Sequence, residues 1–600
     1  MEQFGPSILD RETGKILFKI AVFNHAGVAL QLKLKDGLKD VPLKRETPHI
    51  YSTVVEEHDL ELLYKYKLEG ETDAFPDPYS HYQPDGVLGF SRVVDHAAYQ
   101  WGDREWKGIN WPEAIIYEMH VGTFTMAGTL RSAVEKLDYL VELGINTVEV
   151  MPVAQTPGRW NWGYDGANFF SVNHNYGTPD DFKFFVDSCH RKGLAVILDV
   201  VYNHFGPEGN YLSLYGPYFT DKYETPWGKA VNYDDAGCEI VRRMVLDNVC
   251  HWVEHYHVDG LRLDAVHAIN DRGPRHILQE IAETSRGLSE RLGRKVVIIA
   301  ETDANDVQII NPLEQGGYGA DAQWMDDFHH TVHTLLTGEN SGYYGDYGDF
   351  KGLEKVFRNY LYTGEYSRFW KKKRGTDGSA NPGRQFVVAV QTHDQVGNRA
   401  AGERLSRLVE FPFLKAAAGL LFVSPYIPML FMGEEYAEEN PFIFFTDYID
   451  PQLKQAVSEG RKKEFADFGW EEIPDPEDDN SFYASKLTPR EQWQRRQRQI
   501  FSYYRDLIQL RRTHPALKAP DKNSLEIQAD PSSRLVRITR RNGEQALRCY
   551  VNLNGSEIRP DFAPGRVIFN SEAPRYGGRE QEGTQGLKRL LPGQLILLEL

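Results

Sequence analysis

An α/β chain with a (β/α)8 TIM barrel at its centre, an N-terminal β-sandwich before it and a small C-terminal β domain after it, is the fold this sequence predicts. Three observations carry that expectation. Apolar runs without alternation recur between residues 115 and 432, as strands buried on both faces of a parallel sheet do. Consecutive runs are separated by enough chain for a helix, which suits a closed barrel better than a doubly wound sheet. On either side of this region the pattern changes to short alternating strands.

The first 105 residues predict an immunoglobulin-like β-sandwich. Val28, Leu30, Leu32 and Leu34 alternate with polar neighbours, and so do Tyr64, Tyr66 and Leu68. A Pro-rich stretch, Phe75-Pro76-Asp77-Pro78 through Gln83-Pro84-Asp85-Gly86, cannot continue a strand and leads to a Trp-rich connector ending near Trp111-Pro112. The barrel is expected over residues 106–514. Its runs are Ile115 to Met119, Thr147 to Pro152, Ala195 to Val201, Gly260 to Val266, Val296 to Ala300, Ala322 to Met325, Phe386 to Val390 and Pro428 to Met432. Helical stretches between them include Leu130 to Leu143, Asp180 to Lys192 and Glu239 to Tyr256.

The link between the sixth and seventh runs, residues 338–384, is longer than a minimal connection and predicts inserted helices or a flap. The acidic run Glu471 to Asp479 reads as a solvated loop. Thr488 and Glu491 form a capping-box pair around Pro489, which predicts a barrel-closing helix from about Thr488. After Pro515 short strands return, giving a C-terminal β domain over residues 515–600.

Composition narrows the function classes. A net charge of -18 repels phosphate backbones, so nucleic acid is not an expected partner and a neutral substrate fits better. No stretch approaches the ~18 apolar residues of a membrane span. The polar start, Met1 to Ser7, lacks the basic and apolar regions of a signal peptide, which predicts a cytoplasmic location. Cys189, Cys238, Cys250 and Cys549 show no paired spacing and read as reduced thiols.

In barrel enzymes catalytic side chains sit at the C-terminal ends of strands, so polar residues ending apolar runs are the first candidates. The third run ends Asp199-Val200-Val201-Tyr202-Asn203-His204. The fourth contains Gly260-Leu261-Arg262-Leu263-Asp264-Ala265-Val266-His267. The fifth ends Ala300-Glu301-Thr302-Asp303, and the seventh Gln391-Thr392-His393-Asp394-Gln395. Burying such charges without partners costs several kcal/mol, so they must pair with one another at one mouth, where function tolerates the strain. A structural ion network explains one strand end; it does not readily explain four.

These strand ends resemble the motifs of the α-amylase family, a resemblance that covers residues 114 to 447. It implies Asp264 as nucleophile, Glu301 as acid/base and Asp394 as transition-state stabiliser in a retaining cleavage of α-glucans. Two carboxyl groups about 5 Å apart give retention through a covalent intermediate, and no metal or organic cofactor is called for. Arg262, two residues before Asp264 on one strand face, would keep its carboxylate ionised. Tyr164 in Trp162-Gly163-Tyr164-Asp165 looks like the family's aromatic platform, with His204, His267, Leu263, His393 and Gln395 among the substrate-binding positions.

Other stretches are similar to one branch, the maltooligosyltrehalose trehalohydrolases: Pro76-Asp77-Pro78, Gln83 to Val87, Val150 to Ala154, Thr225-Pro226-Trp227-Gly228 and Asp326-Asp327-Phe328-His329-His330. That resemblance implies maltooligosyltrehalose as substrate, trehalose as product and a maltooligosyltrehalose synthase as upstream partner. The run Asp326 to His330 is the expected reader of the trehalose end. Thr392 stands where that branch usually has Asn, and Leu88 and Phe90 where it has His and Pro. A glycogen branching or debranching enzyme is the alternative within the family. A carbohydrate-binding protein without turnover is the alternative outside it, and the intact carboxylates argue against it.

Overall fold

The eight apolar runs form eight parallel strands that pair in sequence order and close on themselves. The computed structural model describes residues 4–57, 60–466, 473–579 and 588–600; Met1 to Gln3 of the polar start fall outside them. We number the barrel strands β1 (Ile116–Met119), β2 (Thr147–Val150), β3 (Ala195–Val200), β4 (Gly260–Leu263), β5 (Val297–Ala300), β6 (Ala322–Trp324), β7 (Phe386–Ala389) and β8 (Ile427–Phe431). Helices Pro179–Arg191, Cys238–His255, Ile277–Leu292, Asp326–Thr337 and Phe411–Val423 lie between consecutive strands. The expected helix Leu130 to Leu143 is broken into Leu130–Val134 and Leu137–Leu143.

Strand alternation sorts the barrel interior into layers. Ile116, Ile197, Ile299, Ala322, Val387 and Met429 form one apolar cluster, which Trp111 joins from the connector. The next layer towards the strand ends is charged on β1 to β5, with Glu118, Glu149, Asp199, Arg262 and Glu301, and uncharged on β6 to β8, with Trp324, Ala389 and Phe431. Leu261 and Leu263 belong to the other parity and pack in the core that faces the helices. The fourth apolar run outlasts its strand because Ala265 adopts φ 41°, a left-handed conformation costing a non-glycine residue about 1 kcal/mol.

The flanking regions are antiparallel. Residues Gly5–Asp10, Lys15–Ala21, Ile50–Glu56 and Lys44–Arg45 make one N-terminal sheet, and Gly37–Pro42, Val28–Leu34, Leu63–Leu68 and Ala74–Phe75 the core of a second. Their facing sides bury Phe18 against Tyr64, with ring centroids 4.9 Å apart. Asp77 ties the Pro-rich linker down: its carboxylate accepts from Tyr64 at 2.7 Å, and its carbonyl from Asn168 of the barrel at 3.0 Å. Near the C-terminus Leu525–Asp530, Leu535–Asn542, Gln545–Asn552, Leu595–Glu599 and Arg566–Asn570 form a five-stranded sheet. We propose residues 1–105, 106–514 and 515–600 as the three domains, a division these sheets support.

Two local expectations change, the closing helix and the acidic run, while residues 338–384 hold inserted elements. The closing helix runs Arg495–Thr513 and starts on a Gln494/Gln497 capping box; the Thr488 amide, which a capping box would give to Glu491, donates to Glu438 at 2.6 Å instead. Residues 338–384 hold the short helices Gly342–Asp346 and Gly352–Val356 and a hairpin pairing Tyr366–Ser367 with Lys372–Lys373. Of the acidic run, Glu471 and Glu472 lie outside the described residues; Glu477 is not solvated but accepts from Thr446 at 2.6 Å and pairs with Lys454 at 3.3 Å. No disulfide joins the cysteines. Among the described residues no helix is long and apolar enough to cross a membrane.

Candidate active site

Arg262 is the centre of the charged layer. Register places it opposite Asp199, and its Nη1 donates to both oxygens of that carboxylate at 3.0 and 2.9 Å. The same nitrogen donates to Asp264 Oδ1 at 2.7 Å, while Nη2 lies 3.7 Å from Glu301 and 3.9 Å from Asp394. One guanidinium therefore touches or faces Asp199, Asp264, Glu301 and Asp394. Its plane lies 4.3 Å over the Trp324 ring, which walls it from water and strengthens each of these contacts.

Asp264 is held from two sides. Asn203 Nδ2 donates to its Oδ2 and to its backbone carbonyl, both at 2.9 Å. The left-handed turn at Ala265 then aims the next amide at Glu301, whose Oε2 accepts it at 2.7 Å. Backbone strain immediately after Asp264 thus couples the β4 and β5 carboxyls. Burial, with Asp264 and Asp394 adding to it against Arg262, pushes Glu301 up to about 7. At neutral pH Glu301 is poised between its acid and base forms.

Asp394 differs from its neighbours. Its side chain is 38% exposed, the most open of the three carboxylates. Burial works against its charge, but His393 and Arg262 outweigh that and hold it below the usual Asp range. His393 is braced by Glu118, which accepts from Nδ1 at 2.5 Å and from the backbone amide at 3.1 Å. Its Nε2 meets the Tyr164 hydroxyl at 2.7 Å and Asp394 at 3.3 Å. Burial would lower the imidazole's pKa, yet Asp394 and Glu118 hold it well above the ordinary value, so His393 is a cation with two donors. Tyr164 in turn donates to Asp199 at 2.7 Å and stacks on His393 at 5.1 Å. Thr392 caps the short helix His393–Gly397 by accepting from the Asp394 amide at 3.2 Å, a task Thr and Asn both perform.

The remaining predicted positions divide. Asp326 faces Glu301 and Asp394, and burial with those two charges lifts its pKa well above the usual value. Gln395 donates to it at 3.4 Å. His204 Nε2 donates to the Tyr164 carbonyl at 3.0 Å, and its ring stacks at 4.8 Å on Trp227, which is 46% exposed at the rim. Asp165 accepts from Asn161 at 2.7 Å, and His267 is 37% exposed, 3.8 Å from Asp303.

The run after β6 does not open to the mouth as a unit, nor does Leu263. Leu263 points outward to the helices and is 1% exposed. Asp327 anchors the inserted segment, accepting from Asn305 and Tyr347 at 2.7 Å and from the Leu361 amide at 2.6 Å. Phe328 packs on Phe357 at 5.6 Å. His329 spends both nitrogens, on the Val390 carbonyl at 2.7 Å and Tyr344 at 3.1 Å, while His330 packs between Tyr343 and Tyr347. The run is helical, Asp326–Thr337, so successive residues face different neighbours and only Asp326 reaches the carboxylate cluster.

Sequence reasoning missed Glu118, Asn203 and Trp324 as parts of this site. Glu118 carried a usable signal, a lone charge inside the apolar run Ile115 to Met119. Asn203 carried one too, its place in the strand-end run Asp199 to His204, whereas Trp324 carried none.

A family model described as alpha amylase, catalytic domain, matches residues 75–222. The malto-oligosyltrehalose trehalohydrolase of Saccharolobus solfataricus is 47% identical over 75% of this chain and 77% of its own length. That of Arthrobacter ramosus is 44% identical over 89% and 91%. This chain belongs to the malto-oligosyltrehalose trehalohydrolase family. A Salmonella typhimurium protein solved as a candidate alpha amylase superposes with a TM-score of 0.89 at 36% identity, each chain fully covered. A branching enzyme from Bacillus caldolyticus is more distant, 28% identical over 66% of this chain and 60% of its own length. The trehalohydrolase family is thus matched nearly end to end, at greater identity than the branching enzyme.

Proposed function

We propose that this protein hydrolyses the α-1,4-glucosidic bond next to the terminal trehalose of maltooligosyltrehalose, with retention, releasing trehalose and a shortened maltooligosaccharide. The observation that carries the chemistry is the single guanidinium of Arg262 shared by Asp264 and Glu301, with Glu301 at about 7. Glu301 in its acid form protonates the glycosidic oxygen while Asp264 attacks the anomeric carbon, and a glycosyl ester forms as the bond to the leaving sugar breaks. Glu301, now a carboxylate, takes a proton from water, which displaces Asp264 and restores both groups.

The other residues serve these two steps. Arg262 and Asn203 fix the attacking oxygen of Asp264. Asp394, ionised and open to the mouth, accepts from sugar hydroxyls and stabilises the cationic transition state. Tyr164, tied to His393 and Asp199, offers its ring to the sugar at the cleavage point. Asp326, which faces Glu301 and Asp394, and Gln395, which donates to it, are the residues we assign to the trehalose side.

The trehalose specificity rests on the trehalohydrolase relatives, not on the triad. Incubation with a maltooligosyltrehalose tests it: trehalose must appear, initially alongside a maltooligosaccharide of retained anomeric configuration by NMR. New α-1,6 branches from amylose would instead make it a branching enzyme. A cytoplasmic location and supply of substrate by a maltooligosyltrehalose synthase complete the proposal.

A further inference from the structure

A cluster of histidines outside the barrel takes no part in this chemistry. His81 lies within the Pro-rich linker, His96 opens the turn His96–Ala98, and His251 and His255 lie one turn apart on the barrel helix Cys238–His255. One ring nitrogen from each of His81, His96 and His251 lies within 4.8 Å of the other two. His96 Nε2 and His81 Nδ1 are 3.0 Å apart, the His81 and His251 rings are centred 4.5 Å apart, and His255 stacks on His96 at 4.3 Å.

The tautomer of His251 decides what the cluster offers. Its Nε2 lies 3.0 Å from the Phe170 carbonyl, which can only accept, so Nε2 carries the proton and Nδ1 keeps a bare lone pair. That Nδ1 is buried without a hydrogen-bond partner, in a residue 1% exposed. A ring that gives its other N–H to a backbone carbonyl is oriented as metal-binding imidazoles are. His96 Nε2 and His81 Nδ1 share one proton in their 3.0 Å contact, and an ion bound between them would displace it. Burial keeps these rings uncharged at neutral pH: His81 is pushed down to about 3, and His96 and His251 lie well below the usual His range. The nearest cation, Lys183 on the helix Pro179–Arg191, is already paired with Asp180 at 2.9 Å.

We propose that His81, His96 and His251 bind a borderline divalent cation of the Zn2+ class, which staples the linker of the N-terminal sandwich to the barrel helix. Neutral imidazole nitrogens suit Zn2+, Co2+ or Ni2+, whereas Mg2+ and Ca2+ require oxygen ligands. Two nitrogens on one tetrahedral Zn2+ stand about 3.3 Å apart at the usual bond length, close to the His81–His96 spacing, and a water would fill the fourth position. The chemistry of the barrel mouth needs no such ion. The site is a cross-link between two parts of the chain rather than a part of the reaction.

The full chain, dialysed against EDTA and then metal-free buffer, is titrated with ZnCl2 by calorimetry. One Zn2+ per chain is expected, with a rise in melting temperature, and Co2+ in its place should show the visible absorption of tetrahedral nitrogen ligation. His96→Gln and His251→Gln should each weaken Zn2+ by ~10–100-fold or more, while hydrolysis by the metal-free protein is unchanged. Should His251→Gln fail to fold, His96→Gln decides alone, because His96 is only half-buried. No saturable binding at about 100 µM Zn2+, or binding that His96→Gln leaves intact, overturns the proposal.

Discussion

Replacing Glu301 by Gln separates the two consequences of its burial. The amide keeps an oxygen for the Ala265 N–H, so the β4–β5 link survives, but it has no proton to give or take. Loss of general acid–base catalysis alone removes ~10²–10⁴-fold in rate, and trehalose release should fall by at least that much. Stability should move the other way. A carboxyl at about 7 against an ordinary 4.5 is penalised when ionised, and the gap corresponds to roughly 3 kcal/mol. The folded pKa is the higher one, so the penalty is absent below pH 4.5, grows up to about 7 and is constant above that. Glu301→Gln should therefore melt with the wild type at pH 4.5 and roughly 2 °C above it at pH 8. Scanning calorimetry at the two pH values, with product analysis of the same samples, measures both. A melting difference that ignores pH, or activity within tenfold of the wild type, would refute the reasoning.

Asp264→Asn should retain the fold, since Asn can still accept from Arg262 and face Asn203, yet lose ~10³-fold or more in kcat; a normal circular dichroism melt with near-normal turnover would remove it as nucleophile. Arg262→Met leaves Asp199 and Asp264 buried without their cation, a change that costs ~3–5 kcal/mol, to be read in urea unfolding alongside loss of activity. The alkaline limb of kcat/KM should fall near pH 7, where Glu301 gives up its proton. In the residual activity of Asp394→Asn that limb should move to lower pH, because the Asp394 charge is one of the groups that raise Glu301; a limb that stays put or moves up would mean another group sets it.

Much of the site was legible because strands have a fixed period. Arg262 and Asp264 had to share a face, and Leu263 had to take the other, so including Leu263 among the sugar contacts conflicted with the alternation that placed its neighbours. The run Asp326 to His330 misled for the opposite reason. To read the trehalose end its side chains would have to face the mouth together, but the chain enters a helix at Asp326, and a 100° turn per residue spreads two acids and two imidazoles over several neighbours. Thr488 misled through competition: a capping box needs the N-cap amide for its own Glu, and Glu438 takes that amide.

By itself the sequence determined the barrel and the residues that end its strands, since burial on both faces writes an unbroken apolar run and a charge at its end stands out against it. It also carried the trehalohydrolase resemblance. Only the tertiary structure decided which charges pair. Arg262 meets Asp199 across 63 residues and His393 meets Glu118 across 275, and neither distance has a local signature. The stagger of neighbouring strands brings those side chains to one height in the barrel. The same closure gathers Asp264, Asp394 and burial around Glu301 and sets its proton affinity, because a pKa is a property of the surroundings and not of the residue.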